Sequence, residues 1–144
     1  MFKIGLIAAA AVALPLTAQA APKWVELPHT LADVSLLDRN SFAEKGEYVD
    51  VDVMRNYKES INLGNDPVSG DAMYSHRSVK LNYVVDCESR KIAMKGWTLY
   101  DGNFGGGEVV WSDRNWGAPS FISANDEESR SVVISACATL MAVR

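Results

Sequence analysis

Cys87 and Cys137 are the only cysteines in the chain, and a thiol pair is the chemistry its residue types offer most directly. In an oxidising compartment such a pair joins, so two distant points of the chain must meet in space. Neither cysteine belongs to a Cys-x-x-Cys motif, and no neighbouring residues mark a lowered thiol pKa, so a redox shuttle is not expected. The two histidines, His29 and His76, stand at neither metal-ligand nor triad spacing and read as solvated surface residues. Asp50 and Asp52 fall on the same side of an alternating run, where they serve to keep that side in water rather than as a glycosidase pair. Asn65, Asp66 and Asp71 lack the alternating oxygen ligands and closing glutamate of a calcium loop, and read as turn residues. Gly105, Gly106 and Gly107 lack the lysine and following helix of a phosphate cradle, and read as a flexible hairpin tip. No catalytic residue, metal site or cofactor is expected.

The compartment follows from the first 20 residues. Lys3 supplies a positive start, Ile4 to about Leu16 is apolar, and Ala18-Gln19-Ala20 has the small-x-small form of a signal peptidase site. Residues 1–20 are therefore expected to be a secretory signal peptide cleaved between Ala20 and Ala21, leaving 21–144 as one domain. The apolar run is shorter than the roughly 20 residues needed to span a bilayer. No cysteine stands at the cleavage point to carry a lipid, so a soluble exported protein is expected, periplasmic or secreted, with association at the cell surface also open. Losing Lys3 leaves 13 basic against 18 acidic side chains, a net charge of −5. That balance argues against nucleic acid as a partner, because phosphate binding needs a basic footprint.

The mature chain reads mostly as strands. Trp24–Leu27 and Val34–Leu37 are short ones, and Asp38-Arg39-Asn40-Ser41 has the polar side chains of a turn. Tyr48–Tyr57 alternates cleanly, with Val49, Val51 and Val53 on one face and Asp50, Asp52 and Asn56 on the other. Lys58–Met73 carries Gly64, Pro67 and Gly70 and reads as a loop. Tyr74–Cys87 and Ile92–Tyr100 form a hairpin across Glu88–Lys91. With Cys87 opposite Ile92, Val85 faces Met94, Tyr83 faces Gly96, and Val79 faces Tyr100. Glu108–Trp111 is a further short strand. The period then changes: Asn125 and Glu128 have capping-box spacing, and Val133, Cys137 and Leu140 make an apolar helical stripe. A helix burying that stripe against the apolar face of the Tyr74–Cys87 strand puts Cys137 beside Cys87, and a disulfide is expected there.

Several short motifs in a fixed order carry a resemblance. Leu37-Asp38-Arg39-Asn40-Ser41-Phe42 precedes the alternating strand. Arg77-Ser78-Val79 leads through Tyr83 to Asp86-Cys87. Trp97-Thr98-Leu99-Tyr100-Asp101 closes the next strand, and Cys137 sits in the last helix. In these, from about Trp24 to Ala138, the chain resembles the bacterial surface-adhesin protein E family. The resemblance implies an α+β fold: an antiparallel sheet of about six strands, with a C-terminal helix held to its concave face by the disulfide. It also implies adhesion to a protein partner such as a host extracellular matrix or serum protein.

The expected hairpin register sets Lys80 across from Leu99, Asn82 from Trp97, and Val84 from Lys95. Trp97 would then stand among Lys80 and Lys95 on the face away from Cys87, with Arg90 and Lys91 extending the charge at the turn. An aromatic anchor ringed by cations is a sensible protein-binding surface. The same scaffold would serve two other roles. A periplasmic inhibitor of a hydrolase such as lysozyme would insert the Lys58–Met73 segment into an active site. A carrier of an apolar or haem-like ligand would need a pocket near Met94, Tyr83 and the helix.

Overall fold

In the computed structural model, residues 23–28, 33–65, 67–114 and 117–142 are described. The expected signal peptide and its cleavage point, His29, Asp66 and Trp116 lie outside these residues. Seven strands form one antiparallel sheet: β1 (Trp24–Glu26), β2 (Asp33–Lys45), β3 (Tyr48–Asn65), β4 (Ala72–Asp86), β5 (Lys91–Tyr100), β6 (Val109–Asp113) and β7 (Ile122–Ser123). β1 to β6 lie in sequence order, and β7 pairs with the start of β5. The helix α1 (Glu127–Ala142) follows.

Alternation decides which face is buried. Val49, Val51 and Val53 of β3, Val79, Leu81 and Val85 of β4, and Ile92 and Leu99 of β5 all belong to the core. They meet Val132, Val133, Ala136 and Leu140 of α1. Burying one such aliphatic side chain contributes about 1.5–3 kcal/mol, so this layer is the main support of the fold. Cys87 and Cys137 join as expected, with Cα atoms 5.5 Å apart. They tie the β4–β5 turn to the second half of the helix.

The helix begins one residue later than its sequence suggests. Asp126, not Asn125, caps it: its carboxylate accepts from the Ser129 amide at 2.8 Å and the Ser129 hydroxyl at 2.6 Å. Those bonds hold the Asp126 carboxyl below the ordinary carboxylate value. Glu128 is thereby freed to reach the sheet.

Two segments expected to be turn and loop are absorbed into strands. At Arg39–Phe42 the chain does not reverse. Four residues bulge opposite Val51, between the pairs Asp38–Asp52 and Ala43–Asp50. The polar side chains bond backbone amides within the bulge and on the neighbouring strand. Asp38 accepts from the Asn40 amide at 2.9 Å, and Ser41 Oγ accepts from the Asp52 amide at 2.7 Å. These bonds replace the lost ladder, and pairing resumes beyond it. Likewise Lys58–Met73 is mostly hairpin, not loop. β3 bulges between Asn56 and Ile61, and Ile61, Asn62 and Leu63 then pair with His76, Ser75 and Tyr74.

The β4–β5 register differs from the expected one. Asp86 accepts from the amides of Glu88 and Ser89 at 3.0 and 3.1 Å and from the Ser89 hydroxyl at 2.6 Å, closing the turn around Cys87–Arg90. Val85 therefore pairs with Ile92 and Tyr83 with Met94. A bulge at Lys95 shifts the ladder again, so Asn82 meets Gly96, Leu81 meets Trp97, and Val79 meets Leu99.

Gly96 is required by the close approach of the β6 backbone. A Cβ there would lie 2.4 Å from the Asp113 carbonyl oxygen and 2.8 Å from Arg114 Cα. Gly96→Ala is expected to cost about 1–3 kcal/mol by pushing the end of β6 away. An unchanged urea midpoint would show that β6 does not press on Gly96.

Candidate functional site

The sheet gathers polar and aromatic side chains in two places, one on each face. On the outer face, away from the helix, the alternation of β3 aligns Asp50 and Asp52 beside Lys80 and Asn82 of β4 and the bulged Lys95 of β5. Lys95 Nζ donates to both Asp50 oxygens at 3.1 and 3.0 Å, and Lys45 also pairs with Asp50. Lys80 Nζ lies 2.6 Å from Asp52 Oδ2, and Asn82 Nδ2 donates to Asp52 Oδ1 at 2.6 Å. Partial burial works to raise Asp50, but the bonds from Lys45 and Lys95 outweigh it and hold its carboxyl below the ordinary value. With Arg114, the groups Asp50, Asp52, Lys80, Asn82 and Lys95 border a dent of about 300 Å³. Lys45, Lys80, Lys95 and Arg114 thus outnumber the two carboxylates that they surround.

The loop after β5 is tied to this face rather than flexible. Asn56 Oδ1 accepts from the Phe104 amide at 2.7 Å, and Ser78 Oγ accepts from the Gly105 amide at 2.9 Å while donating to the Gly102 carbonyl at 2.7 Å. Gly105 has a φ of 74° and packs on Met54, a combination that suits a residue without a side chain.

On the inner face, Arg55 marks where the helix begins. Arg55 Nη2 donates to Glu128 Oε1 at 2.5 Å, Ser35 Oγ donates to Glu128 Oε2 at 2.6 Å, and Asp33 stands 3.7 Å from Arg55 Nε. Burial works against the Arg55 charge, but its bonds to Glu128 and Tyr57 more than compensate and favour the guanidinium. A cleft of about 230 Å³ opens here, lined by Arg55, Tyr57, Leu63, His76, Tyr83, Met94 and Trp97 among others. Tyr83 is deeply set, and burial pushes its phenol up to about 12, helped by the nearby Glu128 carboxylate.

His76 is not on the surface. It is 3% exposed, its ring meets Tyr57 edge-on at 5.6 Å, and its backbone pairs with Ile61. Burial depresses its pKa, partly offset by a hydrogen bond to the Ile61 backbone. No local sequence signal marks this burial, because the bulge in β3 brings Ile61 to His76 from well outside its neighbourhood.

The candidate recognition residues are divided between these places. Lys80 and Lys95 stand on the outer face as expected. Trp97 does not join them: the shifted register puts it opposite Leu81, packed against the core on the inner face and lining the cleft. The tryptophan and the lysines therefore form no single patch. Arg90 lies in the β4–β5 turn with a φ of 56°, and Lys91 opens β5 opposite Asp86. Among the described residues, no group of three or more His, Cys, Asp or Glu side chains is placed to hold a metal ion. No helix among them is long and apolar enough to cross a membrane.

An antiparallel meander with a C-terminal helix tied across its inner face by a disulfide defines a class of small α+β domains. Residues 24–138 match the family model for surface-adhesin protein E, and the chain belongs to that family. The selenomethionine form of Haemophilus influenzae protein E superposes with a TM-score of 0.59 at 15% identity, covering 83% of this chain and 94% of that one. A second crystal form of the same Haemophilus protein gives 0.58 at 16% identity, covering 91% and 98%. Protein E from non-typeable H. influenzae gives 0.58 at 14% identity, covering 92% and 86%. At these identities the likeness is one of fold. No curated protein sequence matches the chain.

Proposed function

We propose that this protein is an exported, non-catalytic binding protein that recognises a protein partner, such as a host extracellular matrix or serum protein, through its sheet. The observation that supports this reading best is the outer-face cluster, where Lys45, Lys80, Lys95 and Arg114 surround Asp50 and Asp52 at a shallow dent. In a chain with net negative charge, such a local cationic surplus steers an acidic partner surface to one face. The paired carboxylates hold the lysines in fixed positions, so less side-chain entropy is lost on contact. Arg90 stands apart from this dent, bordering with Glu47 and Glu88 a groove beside Cys137 of the helix. Signal-directed export would take the disulfide-tied domain to the periplasm, the medium or the cell surface.

The test compares the mature domain with a Lys80→Glu/Lys95→Glu variant on immobilised matrix and serum proteins. The reading expects the variant to bind at least about tenfold more weakly, mainly through a slower association rate. Equal affinity and equal association rates would remove the outer face as the recognition surface.

A further inference from the structure

The loop between β5 and β6 holds an aromatic residue in a backbone conformation that bulky residues avoid. Phe104 has a φ of 52° and a ψ of 41°, in the left-handed region, and it is 54% exposed. Among the described residues, Arg90 is the one other non-glycine residue with a positive φ. A bulky side chain there is an outlier, and outliers persist only where the surroundings fix them. Here they do. The Phe104 amide donates to Asn56 Oδ1 at 2.7 Å, the Gly105 amide to Ser78 Oγ at 2.9 Å, and the Gly106 amide to the Asn103 carbonyl at 2.9 Å. Glycine or asparagine would occupy position 104 with less strain, and a half-exposed ring adds little burial in return.

The register shows what lies beside this loop. Asn56 and Ser78, which hold it, pair with each other across β3 and β4, and the next pair on the same face is Met54 with Lys80. The pair after that is Asp52 with Asn82, and both border the cationic dent together with Lys80 and Lys95. Two residues along a strand span about 7 Å, so the loop's anchor and the first lysine are neighbours on the outer face. Gly105 closes over Met54, which is buried beneath it. Phe104, rather than Trp97, is thus the aromatic residue that the fold brings beside the lysines.

We propose that Phe104 and the Lys80–Lys95 cluster form one recognition surface, whose partner is an acidic protein segment carrying a large apolar side chain. The segment's carboxylates meet the cations around the dent, and its apolar side chain packs on the half-exposed phenyl ring. Charge steers the encounter and selects the partner's sign. The ring adds affinity, because aromatic contacts dominate protein interfaces and this one is already ordered by its loop before binding. A segment with acidic residues alone satisfies the cations and leaves the ring bare. The proposal rests on the reading of the outer face as the recognition surface, and adds to it the aromatic residue and the partner's chemistry.

The experiment titrates ¹⁵N-labelled mature protein, disulfide intact, with two synthetic acidic peptides at low ionic strength, following amide shifts by NMR. The peptides differ only at the centre, tryptophan in one and alanine in the other, with acidic residues on both sides. The expected result is saturable shifts at Phe104, Gly105 and the residues of the dent, with the tryptophan peptide bound about tenfold more tightly. In Phe104→Asn and Phe104→Gly the two peptides should bind alike, with no fall in the urea midpoint. Lys80→Glu/Lys95→Glu should weaken both peptides. A preference for tryptophan that survives in both Phe104 variants would overturn the proposal. So would a urea midpoint that falls in both, since the ring would then serve the fold rather than a partner. Equal wild-type affinity for the two peptides, lost in Lys80→Glu/Lys95→Glu, would remove Phe104 and leave the cationic face standing. No saturable binding of either peptide would also overturn the proposal, while the broader reading is decided separately on matrix and serum proteins.

Discussion

Replacing Cys87 and Cys137 together by alanine is expected to lower stability by about 4 kcal/mol, the chain-entropy value for freeing a loop of this length. The bond spans 50 residues, containing all of β5, β6 and β7 and most of α1. Without it, the unfolded chain regains freedom, and the helix is held to the sheet by the packing of Val132, Val133, Ala136 and Leu140 and by the Glu128 contacts. The melting temperature should fall on the order of 15 °C for a domain of this size. Thermal unfolding by circular dichroism, with and without reductant on the wild-type protein, provides the check. A fall under about 1 kcal/mol would mean that the helix is fixed by packing alone and the cross-link adds little.

The second large effect is electrostatic. Glu128→Ala leaves the Arg55 guanidinium partly buried with only Asp33, at 3.7 Å, as a carboxylate neighbour, and removes the acceptor of the buried Ser35 hydroxyl. Breaking a fully buried pair costs about 3–5 kcal/mol. Here the side chains remain 29% and 17% accessible, so about 2–3 kcal/mol is expected. Arg55→Leu/Glu128→Leu removes both charges and should recover much of that loss, since desolvation of both groups is avoided. Urea midpoints of Arg55→Leu, Glu128→Leu and the double variant give the coupling directly. A double variant as unstable as the sum of the two singles would show that the charges act independently.

Which parts were legible in the sequence depends on how locally each is determined. Val49, Val51 and Val53 announce a buried strand face by alternation alone, and they are buried as expected. The cysteine pair was legible because two thiols in an exported chain have one partner each. The hairpin register was not legible. It depends on the Asp86 carboxylate closing the turn early, which slips the pairing by two residues and keeps the faces, and on one extra residue at Lys95, which moves every later side chain of β5 to the opposite face. That is why Lys80 and Lys95 were placed correctly while Trp97 was not.

The same limit hid the arm beyond Tyr57. Gly64, Asn65, Pro67 and Gly70 signal a turn, but nothing local says that the flanking residues still pair on both sides of it. The bulges at Arg39–Phe42 and at Tyr57–Ser60 are likewise tertiary outcomes, in which side-chain hydrogen bonds compete with the ladder without ending the strand. Burial of His76 follows from the second bulge. The cleft was therefore out of reach from sequence, although Tyr83 and Met94 had been singled out as neighbours of a pocket.

The most direct measurement of the central claim is the affinity of the wild-type mature domain for immobilised extracellular matrix and serum proteins at low and high ionic strength. Saturable binding to at least one of them, weakening steeply as salt screens the outer-face cations, is the result that recognition through the sheet requires. Saturable binding indifferent to salt would contradict the cationic face as its origin. No saturable binding to any of them would contradict the adhesive role itself.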